Sequence, residues 1–233
     1  MRERIEYWVV VAVARCLGRL PRALARWWAS LLAFKVYWLF GRLRRVGERN
    51  LELALPQLSS KTRKTILRRV YVHLGWHLAE FCRMSRYTPE NTREWLRTEG
   101  LEHFLAAQAR GKGVLVITGH LGAWELSSFY HSLMGHPMGV EACTGTGLAH
   151  VARKTEAAVL PGFMLWEAAE RRYVLRFGPE VEIPRTDDVA GDILEGTARC
   201  TREIEAWIRR YPDQWLWIHR RWKTRPAGEP ALY

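Results

Sequence analysis

Cysteine is scarce: Cys16, Cys82, Cys143 and Cys200 are scattered, and no CxxC pair occurs. That distribution reads as free thiols in a reducing compartment, neither a zinc site nor a disulfide frame. Long uncharged runs are also missing. The two apolar stretches near the start, residues 7–14 and 27–34, fall short of the roughly 18–20 uncharged residues of a comfortable transmembrane helix. A tilted span over 22–41, with Arg26 and Lys35 snorkelling, is the spanning alternative. No small-residue cleavage site follows a compact apolar core, so a removed signal peptide is not expected. There is no G-x-S-x-G nucleophile elbow, so no acyl-serine is expected. Gly145-x-Gly147 has His150 where a dinucleotide fingerprint carries its third glycine, and no suitable βαβ spacing follows. Internal repeats, low-complexity tracts and interdomain linkers are absent as well. Acidic residues are few where the chain begins: residues 1–49 set eleven Lys/Arg against Glu3, Glu6 and Glu48.

What is present fits a folded, basic chain. Across 233 residues the hydrophobic share is 48% and the net charge +12, enough for one good core and a negatively charged partner. Nucleic acid, anionic lipid and an acidic carrier protein all meet that description. The twelve tryptophans suit membrane interfaces as well as cores.

Along the chain, helices are expected over about 4–18 and 21–42, with Pro21 in the first turn of the second. Arg15, Arg19, Arg22 and Arg26 share one helical face that Pro21 interrupts. Basic residues alternating with Trp and Leu predict a helix pair lying in a membrane interface, with a soluble helical hairpin packed on the core as the alternative. Ser60 is the expected cap of a helix over 61–85 with Ile66, Val70, Leu74 and Leu78 as its buried stripe. Helical patches follow near 89–96 and 100–109. Beyond Pro137 a short strand is expected at 138–142, then a helix to about Lys154. Strands over 157–165 and 172–183 form a hairpin around 166–171, and a helix runs from 187 to 210. The closing stretch, YPDQWLWIHRRWKTRP, interleaves aromatic and basic residues, which suits single-stranded nucleic acid or a phosphate-binding rim.

The centre of the chemistry is GVLVITGHLGAWE, residues 113–125. Val114 to Thr118 read as a buried strand. His120 then stands at the strand's carboxyl end, with Glu125 at the entry of a helix. In one straight helix positions i and i+5 lie about 140° apart and do not meet. At a strand-to-helix corner they can converge, with Gly119 and Gly122 permitting the tight backbone. An imidazole titrates near neutrality and can take a proton from an alcohol, and a carboxylate can orient it. Ligands of open α/β sheets bind beyond the carboxyl ends of strands. His131 and His136 show no metal-ligand spacing and read as structural or surface residues. Asn50 and Glu80, taken singly, read as structural.

His120-Leu-Gly-Ala-Trp-Glu125 resembles the H-x4-D/E motif of the lysophospholipid acyltransferase superfamily, in the form typical of its lipid A biosynthesis branch, with Ala123 where Asn is common. The tail, the ERNLELALP stretch from Glu48, the HLAEF stretch at His77–Phe81 and the basic-aromatic start resemble the same branch, in order. The resemblance implies an α/β fold, a small mixed sheet flanked by helices (glycerolphosphate-acyltransferase-like), with a membrane-associated helical region over residues 1–45 and the acyltransferase domain over 46–233. It implies acyl transfer from an acyl-carrier-protein thioester to a hydroxyl of a lipid A precursor, without metal or cofactor, at the cytoplasmic face of a bacterial inner membrane. His120 is then the general base and Glu125 its orienter, with Gly122 at the oxyanion and Arg220, Arg221, Lys223 and Arg225 as candidates for phosphate or carrier contact. The expected partners are the carrier protein, an anionic glycolipid or phospholipid acceptor and the membrane surface, not nucleic acid. One departure stands out: about two βα units, on the order of 60 residues, are missing near 140–142. A catalytically inactive lipid-binding relative, or a phospholipid acyltransferase, is the alternative.

Overall fold

The computed structural model describes residues 2–135, 146–220, 223 and 230–233. The expected strand at 138–142, the start of the helix after Cys143, His136, Arg221 and Arg225 lie outside the described residues. The chain forms two compact units, one of residues 1–86 with 213–233 and the other of residues 87–212.

The first unit is helical: α1 (Arg2–Arg19), α2 (Arg22–Leu39), α3 (Gly41–Ala54) and α4 (Ser60–Arg83). α2 and α4 run antiparallel, since Arg22 meets Glu80, Ala29 lies against Gly75 and Tyr37 packs on Tyr71. Small residues allow the close approach. A Cβ on Gly75 would stand 2.7 Å from the Ala29 carbonyl oxygen, and Ala25, Ala29 and Ala79 are fully buried. Four expectations change here. The arginine face is split, because Arg22 and Arg26 turn inward to the fully buried Glu80. The cap of α4 is Ser59, whose hydroxyl accepts from the Thr62 amide, not Ser60. Leu78 is exposed and Leu74 only half-buried; the buried side of α4 passes instead through His73, Gly75, Ala79 and Glu80. Residues 41–54, for which no helix is expected, form a full helix that buries Val46, Gly47, Asn50 and Leu51 along one face.

Asn50, 1% exposed, joins the two ends of the chain. Its amide donates to the carbonyls of Trp217 (2.5 Å) and His219 (2.8 Å), and Tyr233 donates its hydroxyl to the Asn50 carbonyl oxygen. The ERNLE and QWLWIH stretches therefore sit together because one amide side chain pairs with the other's backbone.

The second unit is α/β, with a four-stranded mixed sheet flanked by helices. Its elements are α5 (Pro89–Thr92), β1 (Leu96–Glu99), α6 (Leu101–Ala109), β2 (Val114–Ile117), α7 (Trp124–Leu133), α8 (Thr146–Thr155), β3 (Ala158–Glu167), β4 (Arg172–Phe177) and α9 (Val189–Arg210). Strand order is β1-β4-β3-β2, with β1 and β4 parallel, β3 and β4 antiparallel, and β2 and β3 parallel. Ala158 to Leu165 is buried throughout, as suits a strand covered on both faces. The expected helix over 89–96 shrinks to one turn and gives way to β1, and the second hairpin strand stops at Phe177, not 183. α9 begins at an Asp188 cap that accepts from Gly191 N–H.

Candidate active site

β2 ends at Ile117, paired with Pro161 of β3, but β3 continues for six more residues. That overhang receives the corner. Gly122 has φ +66°, and a Cβ there would lie 1.9 Å from the carbonyl oxygen of Met164 in β3. The next amide, Ala123 N–H, donates to that same oxygen at 2.8 Å. Leu121, fully buried, plugs the corner, and its amide donates back to Gly119 O at 2.6 Å. A left-handed conformation and a near-contact with backbone together make Gly122 a position only glycine fits.

His120 lies in the tight turn between Gly119 and Leu121 and faces solvent; Glu125 falls in the first turn of α7 and is also exposed. The His120 imidazole meets the Trp124 ring edge-to-face, 5.0 Å between centroids. Sequence reasoning passed over that tryptophan, although its +4 position across the corner was visible. Of the corner amides, those of Leu121 and Ala123 are engaged, and among the described residues the Gly122 amide between them has no backbone acceptor. Glu125 near the amino end of α7 sits where the helix dipole favours negative charge.

Beneath the corner a small half-open apolar recess, with a cavity volume of about 20 Å³, lies between α7 and the sheet, lined by Val116, Thr118, Ser127, His131, Leu175 and Phe177 among others. The Thr118 hydroxyl is buried there and finds no hydrogen-bond partner among the described residues. His131 is packed edge-on against Phe104 at 4.5 Å and is 5% exposed, a core residue as expected. Among the described residues no cluster of three or more metal-ligating side chains occurs.

The tail candidates belong to the other unit. Arg220 is half-buried, with its guanidinium 5.9 Å from the Tyr233 ring, and Lys223 is exposed. The thiols of Cys16, Cys82 and Cys200 are free; Cys143 lies outside the described residues.

Residues 1–141 and 131–224 match the family described as bacterial lipid A biosynthesis acyltransferase. The chain is 26% identical over 258 residues to the lipid A biosynthesis palmitoleoyltransferase of Escherichia coli (strain K12), covering 82% of each chain. It shows the same identity and coverage to a lipid A biosynthesis acyltransferase of Shigella flexneri. To the lipid A biosynthesis lauroyltransferase of Escherichia coli (strain K12) it is 22% identical over 258 residues, covering 82% of this chain and 83% of that enzyme. Since 82% of 233 residues is about 191, about 67 of the 258 positions aligned to the palmitoleoyltransferase have no counterpart here. The two matched stretches overlap at 131–141, where the sequence placed the missing segment.

Proposed function

Because the chain belongs to the bacterial lipid A biosynthesis acyltransferase family and is an acyltransferase, we propose that it moves a fatty acyl group from an acyl-carrier-protein thioester to a hydroxyl of a lipid A precursor. The observation that carries the chemistry is the corner itself. An exposed imidazole, held by a glycine-locked turn at the end of β2, which is a half-buried edge strand and not the buried strand expected, is open to a substrate hydroxyl while its backbone is fixed.

In this mechanism His120 accepts the proton as the acceptor oxygen attacks the thioester carbonyl. Glu125, in the first turn of α7, orients the ring and offsets the imidazolium charge. The Gly122 amide points a donor at the developing oxyanion, a preorganised contact of the kind worth roughly 3 kcal/mol. Collapse of the tetrahedral intermediate breaks the C–S bond, and the carrier thiolate leaves with the proton from His120. No acyl-enzyme forms. Arg220 and Lys223, with Arg221 and Arg225, supply cations for a phosphate or for the acidic carrier; Arg is the better fork and Lys the point charge. The setting is the cytoplasmic face of the inner membrane, where donor and lipid acceptor meet.

The test is transfer of labelled acyl groups from acyl-carrier protein to a lipid A precursor, with wild type and His120→Ala. Product that disappears in the variant supports the assignment; equal turnover by both overturns it. A second reading, a lipid-binding relative without turnover, draws on the roughly 67 absent positions. It predicts no product from folded wild type with either glycolipid or phospholipid acceptors.

A further inference from the structure

We propose, on the reading of His120 as general base, that Trp124 is its positioning residue: the indole sets the direction in which the imidazole points.

The corner makes this contact, not helical periodicity. Ala123 precedes α7 with φ −93° and ψ 68°, and Trp124 is the first residue of the helix. Cα–Cβ bonds tilt toward a helix's amino end, so a side chain at the first position reaches back over the residues that lead in. Those residues here are Leu121, Gly122 and Ala123, all buried. His120 and Trp124 flank the buried triplet and meet, their rings at 87° with centroids 5.0 Å apart. Glu125, one position on, leaves the helix about 100° around the axis, so it cannot take the indole's place.

The backbone beneath the pair is fixed. Ala123 N–H donates to the Met164 carbonyl oxygen at 2.8 Å, and the Ser127 hydroxyl donates to the Trp124 carbonyl oxygen at 2.6 Å. Burial does not restrain the imidazole itself. An exposed histidine turns about two side-chain torsions, whereas a general base must aim at one oxygen.

Other histidines set a contrast. His73 against Trp76 and His131 against Phe104 are ring pairs of the same kind, with centroids 5.0 and 4.5 Å apart, but both histidines are buried and their contacts are core packing. At the corner the histidine is exposed and the tryptophan half-buried. The contact there selects a direction more than it buries area. An aromatic pair favours its own geometry by roughly two- to tenfold, and orientation of a base counts toward the reacting complex, hence toward kcat.

The test uses the full chain in detergent micelles: wild type, His120→Ala, Trp124→Phe and Trp124→Leu, with a melting temperature for each. Trp124→Met, closer in volume and also without a ring, replaces the Leu variant if that one melts early. The first readout is the His120 imidazole resonance, assigned by its absence from His120→Ala, at about pH 8.5 where an ordinary imidazole is neutral. Ring current from the indole displaces it. Most of that displacement is expected to survive in Trp124→Phe and to vanish in Trp124→Leu; a resonance that stays put in Trp124→Leu overturns the proposal.

The second readout is acyl transfer. Trp124→Leu is expected to lower kcat about three- to tenfold with KM for both substrates within about twofold, and Trp124→Phe to keep kcat within about twofold of wild type. A loss carried by KM, or a Phe variant as slow as the Leu variant, makes the indole a substrate wall and overturns the positioning role. Turnover undiminished in His120→Ala, or absent from wild type, fails the general-base reading instead, and the resonance then decides the ring contact by itself.

Discussion

At the scale of single residues the corner rests on one glycine and one histidine. Gly122→Ala forces a Cβ into the space of the Met164 carbonyl oxygen, 1.9 Å away, from a left-handed φ. The left-handed penalty alone is about 1–2 kcal/mol, and the overlap adds roughly 1–3 more. The variant is expected to melt lower and to lose most of its transfer rate, both read on one purified sample. His120→Ala behaves oppositely: the side chain is exposed, so the melting temperature stays put while transfer falls by about 10²–10⁴-fold, the range for a removed general base. Glu125→Gln keeps shape and removes charge. It is expected to lower kcat with little change in KM for the lipid, since an orienter acts on the transition state. An unchanged kcat would take Glu125 out of the mechanism.

Among the elements, β2, the β3–β4 hairpin and α9 were legible because their apolar runs and turn residues agree with their packing. β1 was not. Leu-Arg-Thr-Glu has one strong strand former, and the strand is fixed from outside by pairing with β4 and by Arg176 donating to Glu99 at 2.6 Å. α3 was missed for a similar reason: Gly47 looks like a breaker, yet it is needed where Leu67 packs, 2.6 Å from its would-be Cβ. Leu78 misled the reading of α4 because α4 meets α2 through small and ionic residues, Gly75 against Ala29 and Glu80 with Arg22, and leaves that leucine exposed. At the corner, the turn at Gly122 with His120 before it and Glu125 in the following helix was readable from spacing, whereas the anchoring Met164 carbonyl, a backbone atom some forty residues on, leaves no signature in side chains. Asn50 was readable only as a resemblance. Replacing it with Ala leaves the Trp217 and His219 carbonyls unpaired, at about 1–3 kcal/mol for a buried group. Faster amide exchange and earlier proteolysis of the tail than in wild type are expected.

α4 also carries a pH dependence. Burial holds His73 down to about 4, with Asp213 pulling up and Arg26 and Arg69 pushing down. Burial, with His73 and Arg26, holds His77 down to about 3. Both folded values lie below the ordinary 6.5, so the unfolded chain binds protons that the folded chain refuses. Their contribution is complete above about pH 6.5 and is lost as pH falls through about 4. The first unit is expected to melt at lower temperature at pH 5 than at pH 7, and His77→Gln to flatten that slope. A slope unchanged by the substitution would assign the acid sensitivity elsewhere.

For the molecule as a whole, the consequence of the shortened centre is a matter of binding against chemistry. The corner is complete within residues 113–125 and its anchor in β3, all of which are present and described. On the proposal that the corner carries the chemistry, the roughly 67 absent positions are assigned to the walls around it. Walls that hold substrate and transition state alike set KM; groups that act only on the reacting atoms set kcat. Compared with a full-length relative such as the palmitoleoyltransferase, the chain is therefore expected to show a KM for the lipid acceptor raised at least tenfold. Its kcat at saturating acceptor should stay within about tenfold, and its dependence on His120 should be undiminished. Steady-state kinetics in mixed micelles, with acceptor varied as a surface fraction, measures both numbers. A collapse of kcat at normal KM would mean that the absent segment holds reacting groups in the relatives, and that the corner alone is not a sufficient catalytic unit.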